Sequence, residues 1–296
     1  MNNDTPYCGV DKETIDNASP VFVEGRKDAF SFYINERFAI QDLKDSGAPA
    51  PWTDNPTLRD FRFTCVCRKH DRISRWYITN IAERTDLDFE TKFYNTLLFR
   101  IFNKTETAEA INQPFTMDQM PTLRDRFDAA KAGGYENHFG SAYLTCGQKK
   151  AWDRDSSDMS HRMVDMLEWT HKHGYAEKVA NAKDQKECCD IIEGIRGFGE
   201  FLAYQVFVDL SYIPEFQFTD EEFTVSGPGC RRGINCLFED RDGMTEEECI
   251  FWIRDNQEKF GLSRHVTVMD IENCFCEFSK FIGRQLNPKK RMRRYG

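Results

Sequence analysis

No CxxC pair occurs among the eleven cysteines, which stand at positions 8, 65, 67, 146, 188, 189, 230, 236, 249, 274 and 276. That excludes a zinc ribbon and a thioredoxin-type redox pair, and leaves reduced thiols packing as small apolar groups as the expected role. GxxxxGK[ST], HExxH and GxSxG are also missing, so a self-contained P-loop kinase and the common hydrolase centres are not encoded. The six histidines, His171 and His173 among them, lack metal-ligand spacing, and no metal site is expected. No run of apolar residues approaches the eighteen or more of a membrane span, and Met1 to Asp16 is polar and acidic rather than a secretion signal. The expected location is the cytoplasm, or the host cytoplasm for a viral protein. Repeats and low-complexity segments are missing too. So is an excess of positive charge: 40 Lys and Arg stand against 49 Asp and Glu, a net of −9. Attraction to nucleic acid through overall charge is excluded, and any DNA contact must be local.

What is present is enough apolar material, 40% of 296 residues with 14% aromatic, for one large domain or two lobes. Charge is segregated. The last ten residues, Asn287 to Gly296, hold Lys289, Lys290, Arg291, Arg293 and Arg294. Residues 1–286 therefore carry a net of −14, and the basic end is either a phosphate-reaching tail or a solubilising disordered one. Helical periodicity dominates, over Arg26 to Lys44, 93–111, 160–174, 185–194, 200–212, 231–238, 246–259 and 268–284, with weak strand alternation at Gly140 to Cys146 and Phe223 to Ser226. Loops are expected from Ala48 to Pro56 and through Asn112-Gln113-Pro114. Cys65 to Ile81 also reads as a helix. Its Arg68, Asp71, Arg72 and Arg75, at i, i+3, i+4 and i+7, would form an arginine stripe on one face.

The sharpest motif is Ile195-Arg196-Gly197-Phe198-Gly199-Glu200-Phe201-Leu202-Ala203, which fits hxGhGxxxA between two helices. Gly197 and Gly199 permit a tight hairpin whose backbone N–H groups meet a DNA phosphate, with Ile195, Phe198 and Leu202 pinning the helices; a plain helical corner is the bland alternative. Helix-hairpin-helix glycosylases that form a Schiff base carry a lysine two residues after the second glycine, where this chain has Phe201. Their excision aspartate falls where Ser226-Gly227-Pro228-Gly229 stands, and plain counting reaches Asp220 instead. Neither Cys274-Phe275-Cys276 nor Cys230 to Cys249 has the iron–sulfur spacing that some of them show. Val225 to Gly233 offers a phosphate nest, with Gly227 and Gly229 allowing close backbone approach and Arg231 and Arg232 opening a helix; solvated arginines on a helical turn are the alternative. On the last helix Ile271, Phe275, Phe278 and Ile282 form a core stripe. Asp270, Asn273, Glu277, Lys280 and Arg284 share the other face, either as an amine or metal holder or as an ordinary solvated surface. Trp76 and Tyr204 are candidates to stack on a base, though core packing is the usual fate of such residues.

Five phrases in order, PWTDNPTLRDFRFTCVCRKHDR at 51–72, LLFRIFNKTET at 97–107, IRGFGEFLAYQVFVDL at 195–210, VSGPGCRRGI at 225–234 and MDIENCFCEFSKF at 269–281, resemble the DNA base hypermodification proteins of bacteriophages and some eukaryotes. These are described as α-glutamyl/putrescinyl thymine pyrophosphorylases, and the helical domain of 5-hydroxymethyldeoxyuridine DNA kinases is similar. Cys65 departs from the asparagine expected there. The resemblance implies an all-α, bilobal, helix-hairpin-helix glycosylase-like fold. Its expected boundaries are an N-terminal segment at 1–25, a helical domain at 26–286 with the hairpin at about 185–212, and a basic tail at 287–296. It implies a transferase that displaces phosphate or pyrophosphate from phosphorylated 5-hydroxymethyluracil in double-stranded DNA with an amino acid or polyamine, alongside a 5-hydroxymethyluracil DNA kinase. Losing the excision aspartate spares the glycosidic bond of a flipped base. The expected phosphate binders are Arg68, Arg72, Arg231 and Arg232. The expected bases or amine anchors are Asp71, Asp270 and Glu277, and the DNA contacts are Gly197, Phe198, Gly199, Gly227 and Gly229. No cofactor is fixed; magnesium with a pyrophosphate leaving group is the one candidate. A helix-hairpin-helix glycosylase and a non-catalytic DNA-binding or kinase-accessory module stay open as alternatives.

Overall fold

Where apolar residues recur at helical spacing behind a capping side chain, the chain is helical. The computed structural model describes residues 7–140, 152, 158–289 and 291–295. Along the chain run α1 (Lys12–Asn17), β1 (Val21–Phe22), α2 (Arg26–Asp45) and α3 (Pro56–Asp60), then α4 (Arg72–Tyr77), α5 (Phe89–Phe102), α6 (Thr105–Ala110) and α7 (Leu123–Ala132). α8 (Met159–Lys172), α9 (Tyr175–Ala180), α10 (Gln185–Glu193) and α11 (Glu200–Leu210) follow. α12 (Pro228–Leu237), β2 (Phe238–Asp240), α13 (Glu246–Asp255) and α14 (Val268–Leu286) complete the order. Capping explains several starts. Asn55 accepts from the amides of Thr57 and Leu58 with Pro56 at the first helical position, and Thr245 and Glu248 form a capping box on α13.

Three expectations need correction. The 93–111 stretch is two helices, because Asn103 takes a left-handed conformation (φ 47°) and closes α5. The 65–81 stretch is not one helix: Arg68–His70 is a single 3-10 turn, Asp71 is extended (φ −64°, ψ 145°), and α4 begins only at Arg72. The arginine stripe is therefore cut at Asp71. Phe223 to Ser226 is irregular, and the strands of the described residues are β1 and β2, paired antiparallel through Phe22 and Phe238. Of the other expected strand, 141–146 lies outside the described residues, and Gly140 is not in a strand.

The chain divides into two compact units, one spanning 72–219 and the other joining 2–71 to 220–296. In the first, every residue of α5 from Thr91 to Phe102 is buried. α5 is tied to α11 by a charged pair without solvent: Arg100 Nε donates to Asp209 Oδ2 at 2.6 Å, with Arg100 2% and Asp209 0% exposed. In the second, α14 is the central element. Phe275 stacks on Phe30 at 4.9 Å, Phe278 meets Phe30 edge-on at 5.0 Å, and Phe281 packs on Tyr33. α12 lies against α14 so closely that a Cβ at Gly233 would meet the Phe275 carbonyl oxygen at 2.0 Å, and one at Gly229 the Cys276 sulfur at 2.3 Å. Within this unit α1 packs on α13 and β1 pairs with β2. Among the described residues ten cysteines stand outside any disulfide, and no helix is long and apolar enough to cross a membrane.

Candidate functional site

The head of α14 gathers the titratable groups. Thr267 caps the helix by accepting from the Asp270 amide, which sets Asp270 in the first turn. Asp270 Oδ1 in turn accepts from the Arg68 amide at 2.9 Å and docks the 3-10 turn there. Burial lifts the Asp270 carboxyl to about 6, helped by the charge of Asp220 and opposed by the Arg68 amide, the Cys67 thiol and Lys69. Asp220 is itself raised, chiefly by burial, with Lys69, His265 and the Thr267 hydroxyl acting against the rise. The Cys67 thiol is pushed up to about 12 by burial and by Asp270, so it is a hydrogen-bond donor and not a nucleophile.

Glu272, one residue beyond Ile271, faces α12. It accepts from the Gly227 amide at 3.3 Å, and burial raises it to about 7; the Arg68 guanidinium opposes the rise and the Glu247 charge adds to it. Glu247 Oε1 accepts from the Ser226 amide at 2.8 Å, and Arg231 Nε donates to both the carbonyl and the hydroxyl of Ser226. The glycine-rich turn has internal partners of its own. Its Ser226 and Gly227 amides are already taken by carboxylates that cap α12 where a phosphate nest was expected, and Gly229 is a packing contact against Cys276. Arg231 and Arg232 are exposed.

Three residues of the polar face of α14 are taken up by contacts with the 64–68 segment, while Lys280 is exposed. Asp270 holds the Arg68 amide, Asn273 Nδ2 donates to the Cys65 carbonyl at 2.9 Å, and Glu277 Oε2 accepts from the Thr64 amide at 3.4 Å. These three contacts form a ladder that clamps the 64–68 segment. Cys65, where the resemblance leads to asparagine, donates its thiol to Gln41 at 3.0 Å. Glu277, 3% exposed, also pairs with Lys280, and it lies two helical turns from Asp270, about 10.5 Å along the axis. Asp71 ends the 3-10 turn.

The remaining expected residues lie in the 72–219 unit. Arg72 contacts Thr105 and Glu106 at 3.2 and 3.3 Å and is largely exposed. The hairpin has Gly197 at φ 88°, Phe198 and Ile195 buried, and Gly199 exposed at the start of α11, where an added Cβ would meet nothing within 4 Å. Tyr204 is fully buried in the core, whereas Trp76 stacks on Phe99 at 5.1 Å and donates to Glu109. Asp128, Asp158 and His161 stand within 4.8 Å of one another, but His161 bonds Asp128 and Asp158 binds Lys131.

Glu272, Glu247 and Lys69 escape a sequence reading. Glu272, 5% exposed, gives only the signal of a charge amid apolar residues, and its burial goes with the close approach of α12 that Gly229 and Gly233 permit.

Together these features define a mostly helical protein with a buried, near-neutral carboxylate cluster backed by arginine. The family described as the helical domain of 5-hmdU DNA kinases matches residues 25–291, and the chain belongs to that family. A curated relative, a 5-hmdU DNA kinase of Bacillus phage SP10, is 28% identical across 79% of this chain. The chain spans 41% of that relative's length. No solved structure matches.

Proposed function

We propose that this protein is a DNA base hypermodification transferase, which displaces phosphate or pyrophosphate from phosphorylated 5-hydroxymethyluracil in DNA with an amine, an amino acid or polyamine. The observation that carries the reading is the pair Asp270 and Glu272, with carboxyls at about 6 and about 7, beside Arg68. A base poised near neutrality takes a proton from an ammonium without being locked in either state. In the reaction the amine nitrogen bonds to the exocyclic methylene and the carbon–oxygen bond to phosphate breaks. The electron pair leaves on the phosphate oxygen, and the ammonium proton passes to a carboxylate. Arg68 would neutralise the departing phosphate, with Arg231 and Arg232 as further cations. The Gly197 to Gly199 hairpin would take the DNA backbone through its N–H groups. Asp71 and Glu277 remain proposed acids, although the Lys280 pair and the Thr64 amide favour a clamping role for Glu277.

Single-turnover rates and DNA affinities of Arg68→Ala and Asp270→Asn test the reading. Contacts that strengthen as charge develops on the leaving oxygen affect rate more than binding, so Arg68→Ala should lose on the order of a hundredfold in rate and little affinity. Equal losses in both make Arg68 a DNA contact only.

A second reading, a non-catalytic module that serves a DNA kinase, is favoured by one observation: the match is to the helical part of a longer relative named as a kinase. It predicts bound but chemically unchanged DNA.

A further inference from the structure

The basic C-terminal segment is an ordered part of the 2–71 and 220–296 unit. Arg62 N donates to the Arg293 carbonyl at 2.9 Å, Phe61 and Arg294 form an antiparallel bridge, and Tyr295 N donates to the Asp60 carbonyl at 3.2 Å. Trp52 packs edge-on against Tyr295, and the Lys44 ammonium lies over both rings. Strand alternation then sorts the side chains. Phe61 and Phe63 are buried and Met292 packs on the same core, while Arg294, itself exposed, lies over the Phe61 ring at 5.5 Å. Arg62 and Arg293 stand opposite each other on the outer side with Arg291, and all three are exposed. Among the described residues no ion pair forms on these three, and the nearest acid in sequence, Asp60, is held by Arg59. Like charges facing each other across a strand pair destabilise it. The unit keeps this arrangement on a chain of net charge −9.

We infer that this strap is a second DNA-binding surface, a track for the phosphodiester backbone built from Arg62, Arg291 and Arg293. It deepens the reading of a DNA-directed enzyme by naming a surface that holds the polymer independently of the hairpin. An extended row of arginines in register suits a repeating phosphate chain better than a single small anion. Family membership favours DNA over an anionic membrane as the polyanion.

The test uses the full chain and plain duplex DNA, with no modified base and no amine, so its outcome does not depend on group transfer. Binding is followed by fluorescence anisotropy over a range of salt. Arg291→Gln with Arg293→Gln leaves the strap's backbone bonds intact, and an unchanged melting temperature confirms the fold. Loss of two phosphate contacts should flatten the slope of log K against log salt by about 1.8 and weaken binding about tenfold at low salt. A paired control, Lys12→Gln with Lys259→Gln, removes the same charge from elsewhere in the unit and should leave both quantities unchanged. An unchanged slope in the arginine variant overturns the inference, as does an equal loss in the control, which would reflect net charge alone. A variant that keeps DNA affinity but loses binding to phosphatidylserine vesicles overturns it as well. If amine transfer fails while the strap variant loses DNA affinity, the strap stands and the transferase reading falls.

Discussion

Asp270 and Glu272 are two residues apart on one helix, yet they answer to different neighbours. Asp270 turns to the 3-10 turn at Arg68 and Glu272 to the first turn of α12. Both hold protons more tightly folded than unfolded, because burial dominates each environment. For an acid raised in this way the folded chain binds more protons than the unfolded one, starting at the ordinary carboxylate value and ending at the raised one. Stability is then greatest below about pH 4 for these two groups and falls as pH rises towards about 7. Glu272→Gln, which keeps the acceptor oxygen for Gly227, should flatten that fall. Urea midpoints at pH 5 and pH 8 measure it, and an unchanged difference between variant and parent shows that Glu272 does not titrate in this window.

Among elements, the contact between α12 and α14 makes the sharpest demand on sequence. Gly233→Ala sets a methyl group against the Phe275 carbonyl and should destabilise the fold by about 3 kcal/mol, read as a shift in chemical denaturation. Wild-type stability in that variant would mean the helices separate freely. In the other unit, Gly199→Leu enters open space and leaves the hairpin fold intact, so it should weaken DNA affinity without lowering the melting temperature; equal affinity removes the hairpin from the DNA contacts. The same elements show what the sequence made legible. Arg26 to Asp45 was readable because an apolar stripe runs its whole length, and the polar and apolar faces of α14 were separable by the same periodicity. Arg68 to Arg75 misled because four charges fall at helical spacing by coincidence, and the extended backbone at Asp71 carries no mark in the sequence. Ser226 and Gly227 have partners that the sequence does not mark. A glycine-rich turn opening a helix attracts any anion, and the anions that take its amides are Glu247 and Glu272, distant in sequence. Short helices such as α9 passed unread because six residues hold too little periodicity.

At the scale of the molecule, the chain belongs to the family described as the helical domain of 5-hmdU DNA kinases, and its 296 residues hold no GxxxxGK[ST] motif. If the Gly197 to Gly199 turn follows the helix-hairpin-helix glycosylase plan proposed for it, Phe201 takes the place of that plan's lysine and Ser226 to Gly229 that of its aspartate, and the purified protein should release no uracil, 5-hydroxymethyluracil or alkylated base from DNA; free base or abasic sites in stoichiometric yield would restore a glycosylase role and point to Asp220. The central claim, transfer of an amine to the thymine methylene, is tested most directly by one measurement. DNA bearing phosphorylated 5-hydroxymethyluracil is incubated with the protein and a panel of amino acids and polyamines, digested, and its nucleosides are weighed by mass spectrometry. The account predicts loss of the phosphorylated nucleoside and gain of one whose mass corresponds to an amine in place of the phosphate. A phosphorylated nucleoside that persists unchanged with every amine, on DNA the protein demonstrably binds, contradicts it.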